Sequence, residues 1–362
     1  MISILFGTRP EIIKLFPIIE ILKKKNIDFS IIHTGQHYNE KLSNQFINEF
    51  KFPKNKLINL NVGSNSHGIQ TSLMIERIET YLKEKKQIKA LIVYGDTNTA
   101  LAGSIVVSKM ENIKLVHLEA GLRSFDKNMP EEVNRRLIDH CSDLLLCPTN
   151  ISKKYLINEG INQKKIFVTG NTILDAIRSK FVKSKLNTKI KKNHHLLLTI
   201  HREENTKNFV NLKIILSECI KIAKKNNLKI IFPIHPKTRK ILKKIKYNKK
   251  IIKLKDPLNY VDFLKCMKGS KIIISDSGGV QEEACILKVP LVTVRNSTER
   301  PETLSIGCNI LSKISNKKIY KDANILLRRK IKWKNPYGNG TAAIKSCREI
   351  IKLIKKNEPK NY

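Results

Sequence analysis

The sequence predicts an α/β chain of two doubly wound domains facing a central cleft, and three observations carry that prediction. Short runs rich in Ile, Val and Leu recur, each followed by a loop and then a segment of helical period. The alternation pauses over 179–194, a stretch rich in Lys and Asn and poor in apolar residues, and then resumes. The apolar runs are continuous rather than alternating, which specifies parallel sheets covered on both faces. Two such sets in succession mean two Rossmann-like domains. Ligands of such sheets bind at the carboxyl ends of the strands.

In the first set, strands are expected over 2–6, 29–33, 90–94, 114–118, 144–147 and 166–169. The helices between them fall over 10–25, 68–85, 98–109 and 131–140. In the second set, strands fall over 195–200, 229–234, 251–254, 271–275 and 291–294, with helices over 209–226 and 280–287. A final helix over 341–356 follows the loop Asn335-Pro336-Tyr337-Gly338-Asn339-Gly340. The expected domains are 1–178 and 179–340, with 341–362 as a terminal helical segment.

Composition narrows the function classes. The 362 residues are 41% hydrophobic and 28% charged, as in a soluble globular protein. No apolar run approaches the ~18 residues of a membrane span. The opening segment carries Arg9, Glu11 and Lys14 where a signal peptide needs an uninterrupted apolar stretch. Seven cysteines stand apart, without Cys-x-x-Cys pairs or zinc-finger spacing, and suit a reducing cytosol. Lys plus Arg number 69 against 31 Asp plus Glu, a net charge of +38. The excess is lysine spread along the chain with abundant Ile and Asn, which reads as compositional drift. No nucleic-acid motif or aromatic–basic interleaving accompanies it. A basic surface would also gather a pyrophosphate.

The expected strand ends carry polar residues out of proportion. The first ends in Gly7-Thr8-Arg9-Pro10-Glu11. It reads as a turn with proline opening a helix, or as cations (Arg9, and Lys14 one turn on) at an anion-favouring helix start. Asp96, in Tyr94-Gly95-Asp96-Thr97-Asn98, either caps the next helix or serves the cleft. Glu119, in Glu119-Ala120-Gly121-Leu122-Arg123, precedes no helix, so capping does not explain it, and a buried carboxylate needs a partner or a function. Glu131 and Glu132 open a helix, where acids complement the dipole. Asp96, Glu119 and Glu131 on one cleft would allow acid–base work at a single carbon.

In the second half, His201 follows a strand beside Arg202, a candidate acid for a phosphate leaving group. His235 repeats the placement at the next strand. No third ligand stands at metal spacing, so no metal site is expected. Ser275-Asp276-Ser277-Gly278-Gly279 leads from a strand into a helix, where Ser277, Gly278 and Gly279 would let phosphates approach the backbone. Glu283, one turn on, suits a ribose, and Arg300 adds a cation on the next loop. This is not Gly-x-Gly-x-x-Gly, and no nicotinamide fingerprint occurs.

Together these motifs resemble the non-hydrolysing UDP-N-acetylglucosamine 2-epimerase family. The resemblance also runs through Thr34-Gly35-Gln36-His37, Gly170-Asn171-Thr172, His201-Arg202-Glu203-Glu204-Asn205 and Thr298-Glu299-Arg300-Pro301-Glu302, in family order over nearly the whole chain. It implies the glycosyltransferase-B-like fold, a terminal helix returning to the first domain, and a homodimer. It implies UDP on the second domain, with Ser277, Gly278, Gly279 and Arg300 at phosphate, Glu283 at ribose, Phe263 by the uracil and Arg9 near the pyrophosphate. His201, Asp96, Glu119, Glu131 and Lys14 fall on the family's catalytic positions, and His235 counts with the substrate-binding residues. Gln36 and His37 belong to a region where some members bind a second substrate molecule as an activator. Many bacterial members follow that Gln-His with Arg, whereas Tyr38-Asn39 stand here.

The implied reaction interconverts UDP-N-acetylglucosamine and UDP-N-acetylmannosamine without metal or nicotinamide, for surface polysaccharide precursors. Loss of UDP from carbon 1 accompanies proton removal from carbon 2; the 2-acetamidoglucal then takes UDP back and is reprotonated on the other face. The competing expectations are the same chemistry on a UDP-diacetamido uronic acid, a hydrolysing 2-epimerase, a glycosyltransferase, and a nucleic-acid binder. The expected partner is a UDP-sugar, with neither nucleic acid nor membrane, in the cytoplasm.

Overall fold

The computed structural model describes residues 1–35, 49–50, 52–63, 65–186, 194–234, 236–242, 244–245 and 247–356. The chain divides into two compact units, Met1–Ser179 with Tyr337–Tyr362, and Lys180–Pro336. Each is built on one wholly parallel sheet, as the continuous apolar runs predict.

In the first unit the strands are β1 (Ile2–Phe6), β2 (Phe29–His33), β3 (Leu57–Asn59), β4 (Ala90–Tyr94), β5 (Lys114–Leu118), β6 (Leu144–Cys147) and β7 (Ile166–Val168). They lie in the order β3-β2-β1-β4-β5-β6-β7, every pairing parallel. Every residue of β1, β2 and β4 is buried, because helices cover both faces. The helices are α1 (Arg9–Lys24), α2 (His67–Glu84), α3 (Asn98–Val107), α4 (Pro130–Cys141), α5 (Asn150–Asn158) and α6 (Thr172–Arg178).

The second unit carries β8 (His195–Thr199), β9 (Lys229–Pro233), β10 (Ile252–Lys255), β11 (Ser270–Ser275), β12 (Leu291–Val294) and β13 (Asn309–Ser312), in the order β10-β9-β8-β11-β12-β13. Its helices are α7 (Lys180–Leu186), α8 (Glu203–Thr206), α9 (Phe209–Lys225), α10 (Pro236–Leu242), α11 (Tyr260–Gly269), α12 (Gly278–Leu287), α13 (Pro301–Ser305) and α14 (Lys318–Arg328). Leu212, Ile215, Leu216 and Ile222 of α9 pack with Leu196, Leu198, Ile230 and Phe232 of the sheet in its core. No helix among the described residues is long and apolar enough to cross a membrane.

β3, β13 and the helices α5, α6, α7, α8, α10, α11, α13 and α14 are absent from the sequence expectations, and α7 lies inside the stretch 179–194 expected as a linker, although three of those helices announce themselves. Thr149, Asn171 and Asn259 each accept a first-turn backbone N–H, the hydrogen bond that makes Asn and Thr good caps.

Strand order changes direction once in each sheet, between β1 and β4 and between β8 and β11. At such a switch point the two flanking loops leave on opposite sides, and their carboxyl-end residues frame a ligand site. The turn after β1 holds Gly7 to Arg9 and that after β4 holds Gly95 to Thr97; the corresponding turns after β8 and β11 hold His201 and Asp276 to Ser277.

The chain returns to the first unit at Tyr337 and ends its described course in α15 (Ala342–Lys356). Asn171 N–H donates to the Tyr337 carbonyl at 3.1 Å, and Arg178 donates to the Asn339 carbonyl at 2.5 Å. The Asp175 carboxylate accepts the Ala342 and Ala343 amides at the start of α15, at 3.3 and 3.0 Å. The helix then packs on α1, with Cys347 and Ile350 buried. This return needs a glycine at 170, where φ is +95° and a Cβ would lie 2.7 Å from the Tyr337 carbonyl oxygen. Gly170→Ala is expected to cost about 2 kcal/mol in urea unfolding, and to raise proteolytic cleavage over 337–342.

Candidate active site

In the first unit, the loop after β5 is tightly constrained. Glu119 has φ +69°, a left-handed backbone costly for a residue with a Cβ, and its side chain is buried. Its Oε1 accepts from Lys14 Nζ, from Asn171 Nδ2 at 3.1 Å and from the Tyr94 hydroxyl at 3.3 Å. The Lys14 ammonium also lies 5.3 Å from the centre of the Tyr94 ring. Two predicted residues, Lys14 and Glu119, are thus directly joined, with Tyr94 and Asn171 added to them.

The turn around Glu119 is held from beneath by a buried ionic cluster. Asp139 of α4 accepts from Arg123 Nη1 at 2.7 Å and from the Gly121 amide at 3.2 Å, and faces His117 Nδ1 at 2.7 Å. The other nitrogen of His117 meets the Gly95 carbonyl at 2.9 Å. Arg123 also donates to both oxygens of Glu159, at 2.8 and 2.5 Å. Burial acts to raise the Asp139 carboxyl, but His117 and Arg123 outweigh it and hold the group below the usual carboxylate range. Gly121 has φ +79°, and a Cβ there would meet the Ser152 carbonyl oxygen at 2.4 Å.

Asp96 does not cap α3; Thr97 does, its hydroxyl accepting the Ala100 amide at 3.1 Å. Asp96 Oδ2 instead accepts from Arg135 Nη2 at 2.5 Å and Nε at 3.1 Å, while its side chain stays 27% exposed. Arg135 also donates to Glu132 at 2.6 Å. Glu132 accepts the Ser124 and Phe125 amides at 2.8 and 3.2 Å, so it shapes the 122–126 loop. Glu131, its neighbour in the first turn of α4, is partly exposed and has no hydrogen-bond partner among the described residues. Arg9 opens α1 at the switch point and is partly exposed.

Glu11 also stands at this switch point. It is 3% exposed. Oε2 accepts from the Gly7 amide at 3.1 Å, the Thr8 amide at 2.6 Å and the Thr8 hydroxyl at 2.7 Å, and Oε1 from the Thr97 hydroxyl at 3.0 Å. Burial pushes its carboxyl up to about 7, against the pull of those hydrogen bonds.

In the second unit, His201 and Asp276 meet at the switch point. Asp276, fully buried, lies 3.1 Å from His201 Nδ1 and accepts the His201 and Arg202 amides at 3.1 Å each and Asn205 Nδ2 at 2.9 Å. Burial raises its carboxyl, but His201, Asn205 and the Arg202 amide hold it below the usual range. The imidazole itself is 55% exposed and oriented through one nitrogen, leaving Nε2 for a ligand.

Helix α12 starts in the adjacent turn. Ser277 is its N-cap residue but makes no side-chain cap, and the first turn contains no acid. Such a terminus favours an anion. At Gly278 a Cβ would come within 2.4 Å of Glu299 Oε1, so that side chain would have to shift. Gly279 is different: its φ is not positive and a Cβ would meet nothing within 4 Å, so ligand access to the backbone accounts for it better than packing does. Arg300 is buried, its Nε 2.5 Å from Glu282 Oε1 and its Nη1 3.5 Å from Glu299. Burial, and then the carboxylates of Glu283 and Glu282, push the Tyr260 phenol of α11 well above its usual range, which places Glu283 against α11, the helix that carries Phe263.

The predicted Gln36, His37 and His235 lie outside the described residues. Among the described residues, no cluster of three His, Cys, Asp or Glu side chains fits a metal ion. A cavity of about 610 Å³ in the second unit, lined by Arg239, Leu242, Tyr247, Leu254 and Leu258 among others, includes none of the residues singled out from the sequence. Sequence reasoning gave no role to Glu11, Arg135, Asp139 or Asp276. Only Asp276 carried a local signal, as an acid between a strand and Ser-Gly-Gly.

A family model for UDP-N-acetylglucosamine 2-epimerase matches residues 20–354. The chain is 48% identical to the UDP-N-acetylglucosamine 2-epimerase of Methanocaldococcus jannaschii, over 98% of each chain. It is 33% identical to the UDP-2,3-diacetamido-2,3-dideoxy-D-glucuronate 2-epimerase of Pseudomonas aeruginosa, over 96% of this chain and 99% of that relative. The crystal structure of the Methanocaldococcus jannaschii UDP-GlcNAc 2-epimerase in complex with UDP-GlcNAc and UDP matches with a TM-score of 0.87 and 47% identity, over 97% of this chain and 99% of that one.

Glu11 gives this site a stability signature. Its folded pKa of about 7 lies above the ordinary 4.5, so its contribution is full below pH 4.5 and is lost as pH rises through 7. Stability of Glu11→Gln relative to the parent protein should therefore rise by roughly 3 kcal/mol between pH 4 and pH 8, read from denaturant unfolding at each pH.

Proposed function

The chain belongs to the UDP-N-acetylglucosamine 2-epimerase family, and on that premise we propose that it interconverts UDP-N-acetylglucosamine and UDP-N-acetylmannosamine without net hydrolysis. The observation that carries the reading is the pairing of His201 with buried Asp276 beside the uncapped start of α12. That arrangement offers what a departing UDP needs: backbone N–H groups for phosphate, and an imidazole whose free nitrogen can give a hydrogen bond or proton to the leaving oxygen. Ser277, Gly278 and Gly279 hold the phosphates, Arg300 and Arg9 add positive charge, Glu283 takes the ribose and Phe263 the uracil; His235 assists.

The carboxylates of the first unit serve carbon 2. Its hydrogen is not acidic, so removal is coupled to loss of UDP from carbon 1, giving a 2-acetamidoglucal. UDP then adds back as carbon 2 is reprotonated from the other face. Two carboxylates have oxygens to spare: Asp96 Oδ1 and both oxygens of Glu131 take no hydrogen bond among the described residues. These are the proton-transfer pair in our reading. Glu119, joined to Lys14, Tyr94 and Asn171, orients the sugar and supports the charge that develops at the reacting carbons. The homodimer, the cytosolic setting and a product destined for surface polysaccharide belong to the same proposal.

Proton NMR of the protein with UDP-N-acetylglucosamine in heavy water tests it. Deuterium at carbon 2 together with UDP-N-acetylmannosamine is the expected result; free UDP with N-acetylmannosamine would make the enzyme hydrolytic. The 33% identity to the diacetamido-glucuronate enzyme supports a second reading on that sugar. Exchange with that nucleotide alone would establish it. In the same assay Asp96→Asn should lower kcat by at least about 100-fold. Asp276→Asn should lower kcat about 10- to 1,000-fold, with UDP affinity changed only a few-fold, because His201 loses the group that orients it.

A further inference from the structure

Glu11 lies outside the set of residues just assigned, yet its side chain bonds to both turns of the first switch point. One oxygen holds the turn after β1 through the Gly7 and Thr8 amides and the Thr8 hydroxyl. The other accepts from Thr97, which follows Asp96 in the turn after β4. Thr97 in turn caps α3, so its side chain is anchored on two sides. The carboxylate is buried, and its hydrogen-bonding neighbours are two amides and two hydroxyls with no cation among them. A helix N-terminus alone would be served by any capping side chain. A bond accepted from a residue 86 positions away is not a capping requirement.

We propose that Glu11 is a positioning residue for carbon 2 chemistry: it staples the turn that carries Arg9 to the turn that carries Asp96, and so fixes the Asp96 carboxylate against the reacting carbon. The inference rests on the proton-transfer role given to Asp96 above. Asp96 is held from one side by Arg135 and Asn134, the latter donating to its backbone carbonyl at 3.0 Å. Glu11 acts on the other side, through the residue that follows. Backbone displacement of 1 Å at a reacting group is enough to cost two orders of magnitude in rate.

The staple depends on hydrogen bonds rather than on charge. In Glu11→Gln the amide oxygen can accept from Gly7, Thr8 and the Thr8 hydroxyl, while the amide nitrogen donates to the Thr97 hydroxyl. Glu11→Ala removes all four bonds. The expected outcome is a kcat for carbon 2 exchange about 30- to 100-fold lower in Glu11→Ala, with KM and UDP affinity within about 3-fold, and kcat restored to within about 3-fold of the parent in Glu11→Gln. Hydrogen–deuterium exchange of peptides covering 7–9 and 95–98 reads the staple without substrate: both should exchange faster in Glu11→Ala and neither in Glu11→Gln. Should Glu11→Ala not fold, Thr97→Val cuts the bridge from the other end together with the α3 cap, while Thr97→Ser keeps both bonds and should stay parent-like. Faster exchange over 7–9 as well as 95–98 in Thr97→Val separates loss of the bridge from loss of the cap.

Parent-like kcat in Glu11→Ala would overturn the proposal, as would unchanged exchange over 95–98. Equal kcat losses in the alanine and glutamine variants would also overturn it, by showing that the charge itself matters. Absence of carbon 2 exchange in the parent protein would instead defeat the proposed function, and the peptide measurement would still decide the staple.

Discussion

The buried carboxylate of Asp139 is the constraint on which the first unit's carboxyl edge depends. It sits on α4 but gathers groups from β5, from the loop after β5 and, through His117, from the turn after β4. A carboxylate, a guanidinium and an imidazole removed from water are tolerable only when each is met by the others, and loss of one partner leaves an uncompensated charge inside the protein. Because His117 also reaches the Gly95 carbonyl, the same cluster ties the loop that carries Glu119 to the turn that carries Asp96.

The strained backbone at Glu119 makes sense on that foundation. A left-handed conformation persists only where its surroundings over-determine it. Here the residue is flanked by Gly121, which cannot carry a Cβ, and by Arg123, locked to Asp139 and Glu159. The second unit solves a related problem with less strain. Asp276 takes the amides that follow β8 and holds an exposed imidazole, so a flexible ring gains one orientation from a buried acid. In the first unit the half-exposed Asp96 is aimed instead by a buried cation, Arg135.

The fold was legible because both sheets are parallel and buried on both faces, which leaves uninterrupted Ile, Val and Leu runs in the sequence. What stayed hidden was short or half-exposed: β3 has three residues, none buried, and α14 exposes Lys318, Lys321, Ile325 and Arg328. At the site, residue types at strand ends pointed to Asp96, Glu119, His201 and the Ser277-Gly278-Gly279 turn. Their partners did not show, for a physical reason. Arg135 lies 39 residues from Asp96, Asp276 lies 75 from His201 and Thr97 lies 86 from Glu11, and long-range pairing has no local periodicity to betray it. The capping alternative at Asp96 is likewise excluded by a neighbour, Thr97, which takes that role.

The chain leaves the first unit at Ser179 and comes back at Tyr337, so the second unit is an insertion in the first. During synthesis the ribosome delivers the whole of Lys180–Pro336 before it delivers the residues that cover α1 and meet Gly170 and Asp175. The inserted unit has all its own strands by then and is free to mature first. The unit that begins the chain is completed last. A late stop codon would thus damage the earliest-made half, and a genetic fusion or split of this protein has its natural seams at 179 and 337, not at a single midpoint.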